Sequence, residues 1–206
     1  MKETEDLLKK GLDQLDISSN DQQIGAFRTY LSELKKWNRV HNLTGLKSDR
    51  DIIIKHFLDS LLFLKVLPEG VSTVADIGSG AGFPGIPVKI MAPVLKLFLL
   101  EPSKKKVVFL KHICGKLGLE GVEVLDRRIE DVEGLRVDAA MTRALYSVGE
   151  FIEKAARILT TKGVLILSKG PKLREELECL GINNITVSDI ELPFTGTTRH
   201  LVVVRR

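Results

Sequence analysis

The sequence predicts an α/β fold in which a doubly wound, mostly parallel sheet of seven strands follows an N-terminal helical extension. Two features indicate this fold. From residue 71 onward, short runs rich in Val, Ile and Leu alternate with helical segments, as in a parallel sheet covered on both faces. Before residue 70, apolar residues recur at helical spacing instead. We therefore divide the chain into an extension, 1–70, packed on a Rossmann-like domain, 71–206.

The extension contains three predicted helices. Residues 3–15 form a short amphipathic segment. Asn20 suits the N-cap of a longer helix, whose apolar stripe we expect to lie in the core. A third helix is predicted to begin after Ser48 and to end near Pro68.

The Rossmann-like domain contains seven predicted strands and four predicted helices. The last two strands lie close together in sequence, so one of them can run antiparallel. The helices are predicted at 86–92, 103–117, 148–159 and 172–180. The strands are predicted at 71–78, 95–101, 122–126, 137–142, 163–169, 184–192 and 200–205.

Composition places the chain among folded proteins. It has 206 residues, of which 44% are hydrophobic and 28% charged, which argues against disorder. The net charge of +4 lies entirely within residues 71–206, and it permits a polyanionic partner as readily as an ordinary solvated surface. Cys114 and Cys179 show no paired spacing, so we expect isolated thiols and no metal site. No apolar segment suits a signal or a membrane span, so we expect a cytoplasmic protein without membrane contact, and a monomer.

A glycine-rich loop directly follows the first predicted strand. Ligands of doubly wound sheets bind beyond the carboxyl ends of the strands, so this loop is the candidate cofactor site. Gly80, Gly82 and Gly85 satisfy the G-x-G-x-x-G pattern of dinucleotide-binding enzymes. Glu101 ends the next strand about 20 residues later, where the acid that binds a ribose belongs.

Asp76, at the end of the first strand, favours a different cofactor. A pyrophosphate on the loop would lie close to this carboxylate, and the repulsion would cost roughly a few kcal/mol. S-Adenosylmethionine has no phosphate, and its sulfonium and ammonium groups are positive. A purely structural role for Asp76, as a cap of the loop, remains open. The pattern is typical of class I methyltransferases, with these cofactor-binding candidates: Asp76, Gly78, Gly80, Gly82 and Glu101.

Several further motifs make the resemblance more specific. The runs DIGSGAGFPGIP, LLEPSKKKVVFL, RRIED, TRAL, SKG and RHLVVV, with WNRVHNLTG and HFLDSLL in the extension, resemble the RsmG, or GidB, family of bacterial rRNA methyltransferases over residues 27–206. The resemblance implies methyl transfer from S-adenosylmethionine to N7 of one guanine in 16S rRNA, in naked RNA or in the small ribosomal subunit. It also implies these cofactor contacts: Gly78, Phe83, Ile129, Glu130 and Arg143.

The residues after the fourth strand fit that chemistry. Guanine N7 has an exposed lone pair, so neither a covalent nucleophile nor a strong base is required. Thr142 and Arg143 stand where an exocyclic-amine methyltransferase would carry an Asn/Asp-Pro-Pro-aromatic motif. Arg143 is therefore the candidate catalytic residue, and it could hold the cofactor carboxylate or donate to guanine O6. A surface salt bridge is the plainer alternative.

RNA contacts are expected from basic residues along the carboxyl edge of the sheet. Taken singly, each could be a solvated charge, but together they could form an electrostatic footprint for RNA. Phe83, Tyr146 and Phe194 are candidates for stacking on bases. His56 and Asp59 share one helix face without an assigned role. The RNA-binding candidates are Lys104, Lys105, Arg127, Arg128, Lys169 and Arg199.

Two other functions remain possible from the residues alone. An NAD-dependent oxidoreductase would explain the glycine pattern and Glu101, but not Asp76. A non-catalytic rRNA-binding or assembly protein would explain the basic edge, but it would give the loop no reason to be rich in glycine.

Overall fold

The computed structural model describes residues 2–143, 145–170, 173–178 and 184–206. The extension begins with α1 (Lys2–Gln14) and α2 (Asp21–His41). Asn20 caps α2 as predicted, because its side chain accepts from the Gln23 N–H while the Gln23 side chain accepts from the Asn20 N–H.

The third predicted helix is a continuous helical segment of mixed geometry. It begins as α3 (Asp49–Ile52), widens into a π-helical turn (Ile53–Leu58), narrows again as α4 (Asp59–Leu61) and ends in a 3₁₀ turn (Leu62–Lys65). π-Helical turns inside helices are rare and occur frequently at functional sites.

All seven predicted strands are confirmed, and they form one sheet. The strand order is β3-β2-β1-β4-β5-β7-β6, in which only β7 runs antiparallel to its neighbours. Four helices connect or flank the strands: α5 (Gly85–Met91), α6 (Lys104–Lys116), α7 (Val148–Ala155) and α8 (Leu173–Glu178). The predicted helix at 172–180 extends past α8 into positions outside the described residues. The strands are β1 (Thr73–Ile77), β2 (Lys96–Leu100), β3 (Val122–Leu125), β4 (Val137–Arg143), β5 (Leu159–Lys169), β6 (Ile185–Leu192) and β7 (Thr197–Arg205).

The sheet separates two hydrophobic clusters. One face packs against the extension, α5 and α6, and its buried residues include Phe27, Leu34 and Phe57 of the extension. The other face packs against α7 through residues such as Ala75 and Phe151. The extension therefore shares its core with one side of the sheet, while the division at residue 70 stays a prediction. No described helix is long and apolar enough to cross a bilayer.

Asp138 joins the beginnings of β1 and β4. Its Oδ2 accepts from the N–H and the hydroxyl of both Ser72 and Thr73, at 2.8–3.1 Å. Burial raises the pKa of this carboxyl, but these hydrogen bonds outweigh burial and bring the pKa down to about 2. Asp138 therefore stabilises the folded chain in its ionised form.

The Asp138→Asn variant should lose about 1–3 kcal/mol of unfolding free energy at pH 7. Because the folded pKa lies below the unfolded value, the stabilisation is complete above about pH 4 and is lost as the pH falls towards 2. Urea unfolding from pH 7 to pH 3 should show the difference from wild type shrinking below about pH 4. The exposed Asp13→Asn variant on α1 is the control, and an undiminished difference at pH 3 would contradict this account.

Candidate active site

The glycine loop after β1 is supported from below by a buried carboxylate. Asp76 is fully buried, and its Oδ2 accepts from the Gly85 N–H at 2.8 Å. A Cβ on Gly85 would come within 2.7 Å of that oxygen and 2.6 Å of Leu99 Cδ2, so only glycine fits there. Asp76 thus caps the loop at the start of α5, which is the structural role that the sequence left open.

The second oxygen of Asp76 has unused capacity. Its Oδ1 is buried and has no hydrogen-bond partner among the described residues. Burial raises the pKa of Asp76 to about 7, although the Gly85 N–H and the charge of Arg143 act in the opposite direction. Its negative charge therefore develops around neutral pH.

Glu101 supports the loop from the end of β2. Its buried carboxylate accepts from the Gly80 N–H through Oε2 at 2.8 Å and from the Ser103 N–H through Oε1 at 2.9 Å. These bonds connect the loop to the start of α6. A contact from Glu101 to a ribose would use the remaining acceptor capacity of these two oxygens.

The helical extension also contacts the loop. The buried Tyr30 hydroxyl of α2 donates to the carbonyl of Ala81, and a Cβ on Gly82 would lie 2.6 Å from that hydroxyl. Gly82 and Gly85 therefore face the core, where the absence of a side chain lets the loop pack closely. Sequence reasoning missed Tyr30, whose signal is an aromatic residue with a polar tip on the apolar stripe of a helix.

Gly78 and Gly80 lie on the more open side of the loop. Gly78 has φ +73°, a left-handed conformation that favours glycine, and its N–H donates to the carbonyl of Leu100 at 2.9 Å. A Cβ at Gly78 would come within 2.2 Å of Leu145 Cδ2. The half-exposed Leu145 side chain, from the segment after β4, therefore covers the bare backbone of Gly78.

Arg143, at the end of β4, is bound by the extension. Its NH1 donates to the Lys55 carbonyl at 3.0 Å and to Asp59 Oδ2 at 3.2 Å, and its NH2 donates to His56 Nδ1 at 2.9 Å. Asp59 is buried, and its Oδ1 accepts from Arg199 Nε of β7 at 2.6 Å. Arg143 therefore takes part in an ion pair, but one that lies at the carboxyl edge of the sheet.

His56 is a neutral acceptor in this cluster. Because arginine can only donate, Nδ1 must accept, and Nε2 carries the proton and donates to Thr44 Oγ1 at 2.7 Å. Burial and the neighbouring Arg143 charge lower the pKa of His56 to about 3. The imidazole also stacks on Phe83, with ring centroids 4.4 Å apart.

The other residues implied as cofactor contacts are more dispersed. The Phe83 ring is buried between aromatic neighbours, stacking on Tyr30 as well as His56, so the expectation that it stacks on an RNA base is corrected. Ile129 is buried, and its carbonyl accepts from Arg157, while Glu130 is exposed and pairs with Lys154. Backbone atoms of Phe83 and Ile129 remain the candidates for contact.

The basic candidates lie at the carboxyl edge but differ in their surroundings. Lys169 donates to the Tyr146 carbonyl at 2.8 Å and pairs with Glu176 at 2.9 Å, and Arg199 is bound by Asp59. Four exposed side chains make no hydrogen bond or ion pair with the described part of the chain: Lys104, Lys105, Arg127 and Arg128.

Other features of the described chain are weaker candidates for a functional site. A cavity of about 420 Å³ lies at the opposite end of the strands, where Gln23, Lys89 and Glu120 contribute to its lining. No described group of His, Cys, Asp and Glu could hold a metal ion. Burial raises the pKa of Cys114 to about 12, which suits a packing residue, and Cys179 lies outside the described residues.

The loop fits S-adenosylmethionine better than a dinucleotide. The unpartnered Asp76 Oδ1 and the bare backbone of Gly78 lie at the switch between β1 and β4. The two carboxylates under the loop, Asp76 and Glu101, oppose a pyrophosphate and favour a cationic ligand.

Comparison with known proteins gives a consistent picture. The family model GidB, described as rRNA small subunit methyltransferase G, matches residues 23–202. A protein named Ribosomal RNA small subunit methyltransferase G from Francisella philomiragia is 36% identical over 207 residues, covering 100% of both chains. A protein of the same name from Geobacter metallireducens is 35% identical over 214 residues, covering 99% of this chain and 97% of that protein.

Solved structures support the fold. A SAM-dependent methyltransferase from Aquifex aeolicus superposes with a TM-score of 0.55 at 24% identity, covering 85% of this chain and 97% of that chain. M. jannaschii TYW2, solved in complex with AdoMet, superposes with a TM-score of 0.54 at 17% identity, covering 72% and 74%. The predicted class I methyltransferase fold is thereby confirmed.

Gly78→Ala should separate backbone strain from ligand contact. Its control is Gly70→Ala, because Gly70 has φ +81° and open space around its Cβ position. Each variant should lose about 1 kcal/mol of unfolding free energy through its left-handed backbone, and the new methyl group at position 78 must also displace the end of the Leu145 side chain. Gly78→Ala should in addition weaken S-adenosylmethionine binding by about tenfold or more in calorimetry. Equal cofactor affinities in the two variants would remove Gly78 from the site.

The charge of Asp76 should be visible in the pH dependence of the Asp76→Asn variant. The folded pKa of about 7 lies above the unfolded value, so wild type should lose unfolding free energy relative to this variant as the pH rises from about 4 to 7. The ionised carboxylate favours a cation, so wild type should increasingly prefer S-adenosylmethionine over neutral S-adenosylhomocysteine as the pH passes through 7. Calorimetry at pH 6 and pH 8 measures this preference. An equal, pH-independent preference in both proteins would refute the charge effect.

Proposed function

The chain belongs to the GidB family of rRNA small subunit methyltransferase G proteins, and from this premise we propose that it transfers the methyl group of S-adenosylmethionine to N7 of a specific guanine in 16S rRNA. Its relatives match over nearly their whole lengths, so the comparison concerns the complete site and not a fragment of it. S-Adenosylmethionine, when bound, supplies a methyl group on a cationic sulfur.

Family membership favours methyl transfer over both alternatives. An NAD-dependent oxidoreductase would place a pyrophosphate over Asp76 and Glu101, whose carboxylates support the loop. A non-catalytic rRNA-binding protein would not require a glycine-rich loop that is hydrogen-bonded to two buried carboxylates. The chain is a methyltransferase that depends on S-adenosylmethionine.

The state of His56 and Asp59 is the observation that carries the N7 assignment. Both nitrogens of His56 are committed, one to Arg143 and one to Thr44, and both oxygens of Asp59 accept from arginines. Neither side chain can take a proton from a substrate without breaking these bonds. N7 of guanine needs no deprotonation, so a site in which the histidine and the aspartate that bind Arg143 are both occupied suits it.

Arg143 is the candidate catalytic residue under this proposal. Its side chain is 16% exposed, and its Nε–H and one hydrogen of NH2 have no acceptor among the described residues. These donors can hold the cofactor carboxylate or guanine O6. A bidentate contact to O6 and N7 is excluded, because N7 must remain free to accept the methyl group.

RNA would approach along the carboxyl edge of the sheet. The exposed side chains Lys104, Lys105, Arg127 and Arg128, which have no ion-pair partner among the described residues, would contact phosphates there. We propose this edge as the RNA-binding surface, and we place the reaction in the cytoplasm, where ribosomal subunits are assembled. A monomeric state and the absence of a metal requirement stay predictions.

Transfer of a tritiated methyl group to rRNA tests the function. The substrates should be naked 16S rRNA, small subunits and whole ribosomes, and the modified base should be mapped by cleavage at 7-methylguanine. We expect one labelled guanine, and a loss of at least about 100-fold in kcat/KM for Arg143→Ala. Arg28→Ala, which breaks an exposed ion pair in the extension, should leave the rate unchanged. Label on another atom, or near-normal turnover without Arg143, would contradict the proposal.

A further inference from the structure

The helical turn at 55–59 presents three acceptors to a single guanidinium. The Lys55 carbonyl, His56 Nδ1 and Asp59 Oδ2 all accept from Arg143, although 84 or more residues separate them from it in sequence. This turn is part of the π-helical widening of the third helix and of the step into α4 that follows it. Its unusual geometry therefore coincides with the contact to the catalytic candidate.

Three of the five N–H groups of Arg143 are occupied by this turn. The guanidinium also lies 5.3 Å from the centroid of the Phe83 ring, on which His56 stacks. The Arg143 side chain therefore loses its conformational entropy when the protein folds, and not when a ligand binds. Arg143 is held in one orientation with two donors remaining.

Asp59 performs the same task for a second arginine. Its Oδ1 accepts from Arg199 Nε, and Arg199 remains about one quarter exposed. The NH1 and NH2 of Arg199 have no hydrogen-bond partner in the described parts of the chain, so they form an open fork of the kind that binds a phosphate. One buried carboxylate thus joins two cationic side chains that arise on different strands.

We propose that His56 and Asp59 are positioning residues of the active centre: they orient Arg143 towards the reacting groups, and Asp59 also orients Arg199 towards an RNA phosphate. This inference rests on the proposed function and deepens it. It makes the extension part of the active centre, and it assigns the H-x-x-D-S-L stretch a role that its sequence did not reveal.

The charges of the cluster agree with this role. His56 is neutral, with a pKa of about 3, so it does not repel Arg143. In formal charges, the two arginines and Asp59 sum to +1, which suits an anionic partner. Lys55 on the same turn pairs with Asp51, and Thr44 faces His56 from the other side.

Double-mutant cycles on the full-length protein test the proposal. Arg143→Lys keeps the charge but loses the planar fork, and Asp59→Asn keeps the shape of the carboxylate but loses its charge. Each should lower kcat by about 10- to 100-fold, and the double variant should be no worse than the poorer single variant by more than about twofold. Multiplication of the two effects would show that Asp59 acts independently of Arg143, and would overturn the proposal.

The roles of His56 and Arg199 should be distinguishable in kcat and in the KM for RNA. Arg199→Ala should raise the KM for RNA with little change in kcat, and Asp59→Asn should change both parameters. His56→Phe keeps the stacking on Phe83 but removes the acceptor, so it should lower kcat alone, whereas His56→Asn should recover part of the activity. An unchanged kcat in His56→Phe, or no recovery in His56→Asn, would count against positioning.

Two controls separate positioning from loss of structure and from a wrong function. Glu5→Gln changes another arginine-bound carboxylate of the extension, 2.8 Å from Arg28, and should alter neither parameter. Thermal unfolding of every variant shows whether a change in activity follows a loss of stability.

The Arg143–Asp59 double-mutant cycle is then repeated with the binding of S-adenosylhomocysteine in the absence of RNA. If wild type methylates no rRNA, the proposed function fails, while non-additive binding losses still support the inference; if Arg143→Lys changes neither binding nor rate, the inference fails.

Discussion

The interaction on which the rest of the site depends is the attachment of the glycine loop to two buried carboxylates. Asp76 accepts from Gly85 and Glu101 accepts from Gly80, so both ends of the loop are held before any ligand arrives. Burial of the Asp76 carboxylate costs free energy, as its raised pKa shows. A fold retains such a buried carboxylate where its hydrogen bond fixes the conformation of a loop backbone, as the bond to Gly85 does here. The result is a preorganised surface that carries negative charge beneath bare main chain. Such a surface favours a cationic methyl donor over a pyrophosphate.

The helical extension also contributes contacts to the candidate site. Tyr30 holds the Ala81 carbonyl from one side, and the turn at 55–59 holds Arg143 from the other. These contacts accompany the hydrophobic core that the extension shares with one face of the sheet. The site is therefore assembled from the loop after β1, the ends of β2 and β4, and the extension, with Arg199 of β7 as a further contributor. A catalyst that relies on orientation and not on a nucleophile needs this kind of support.

The sequence predicted the fold well because the signals for the fold are local. Strand and helix patterns, the Asn20 cap and the glycine loop each arise within a few residues, and the strands and helices lie close to their predicted bounds. The site could be predicted only in part. The position of Arg143 after a strand marks it in the sequence, but its partners lie far away along the chain, and Asp59 and Arg199 are 140 residues apart. No pattern of spacing encodes such a contact. The sequence likewise does not show that Phe83 is buried. It suggests an aromatic ring that could stack on a base, whereas in the structure this ring lies in the core.

A crystal structure with bound S-adenosylhomocysteine would test the central claim most directly, because it locates the ligand relative to the supported loop. We expect the ligand against Gly78 and Gly80 beyond the ends of β1 and β4, with Leu145 moved away from Gly78 and Asp59 still bound to both arginines. Ligand density in the cavity beside Lys89 at the opposite end of the strands, or a loop detached from Asp76 and Glu101, would contradict it.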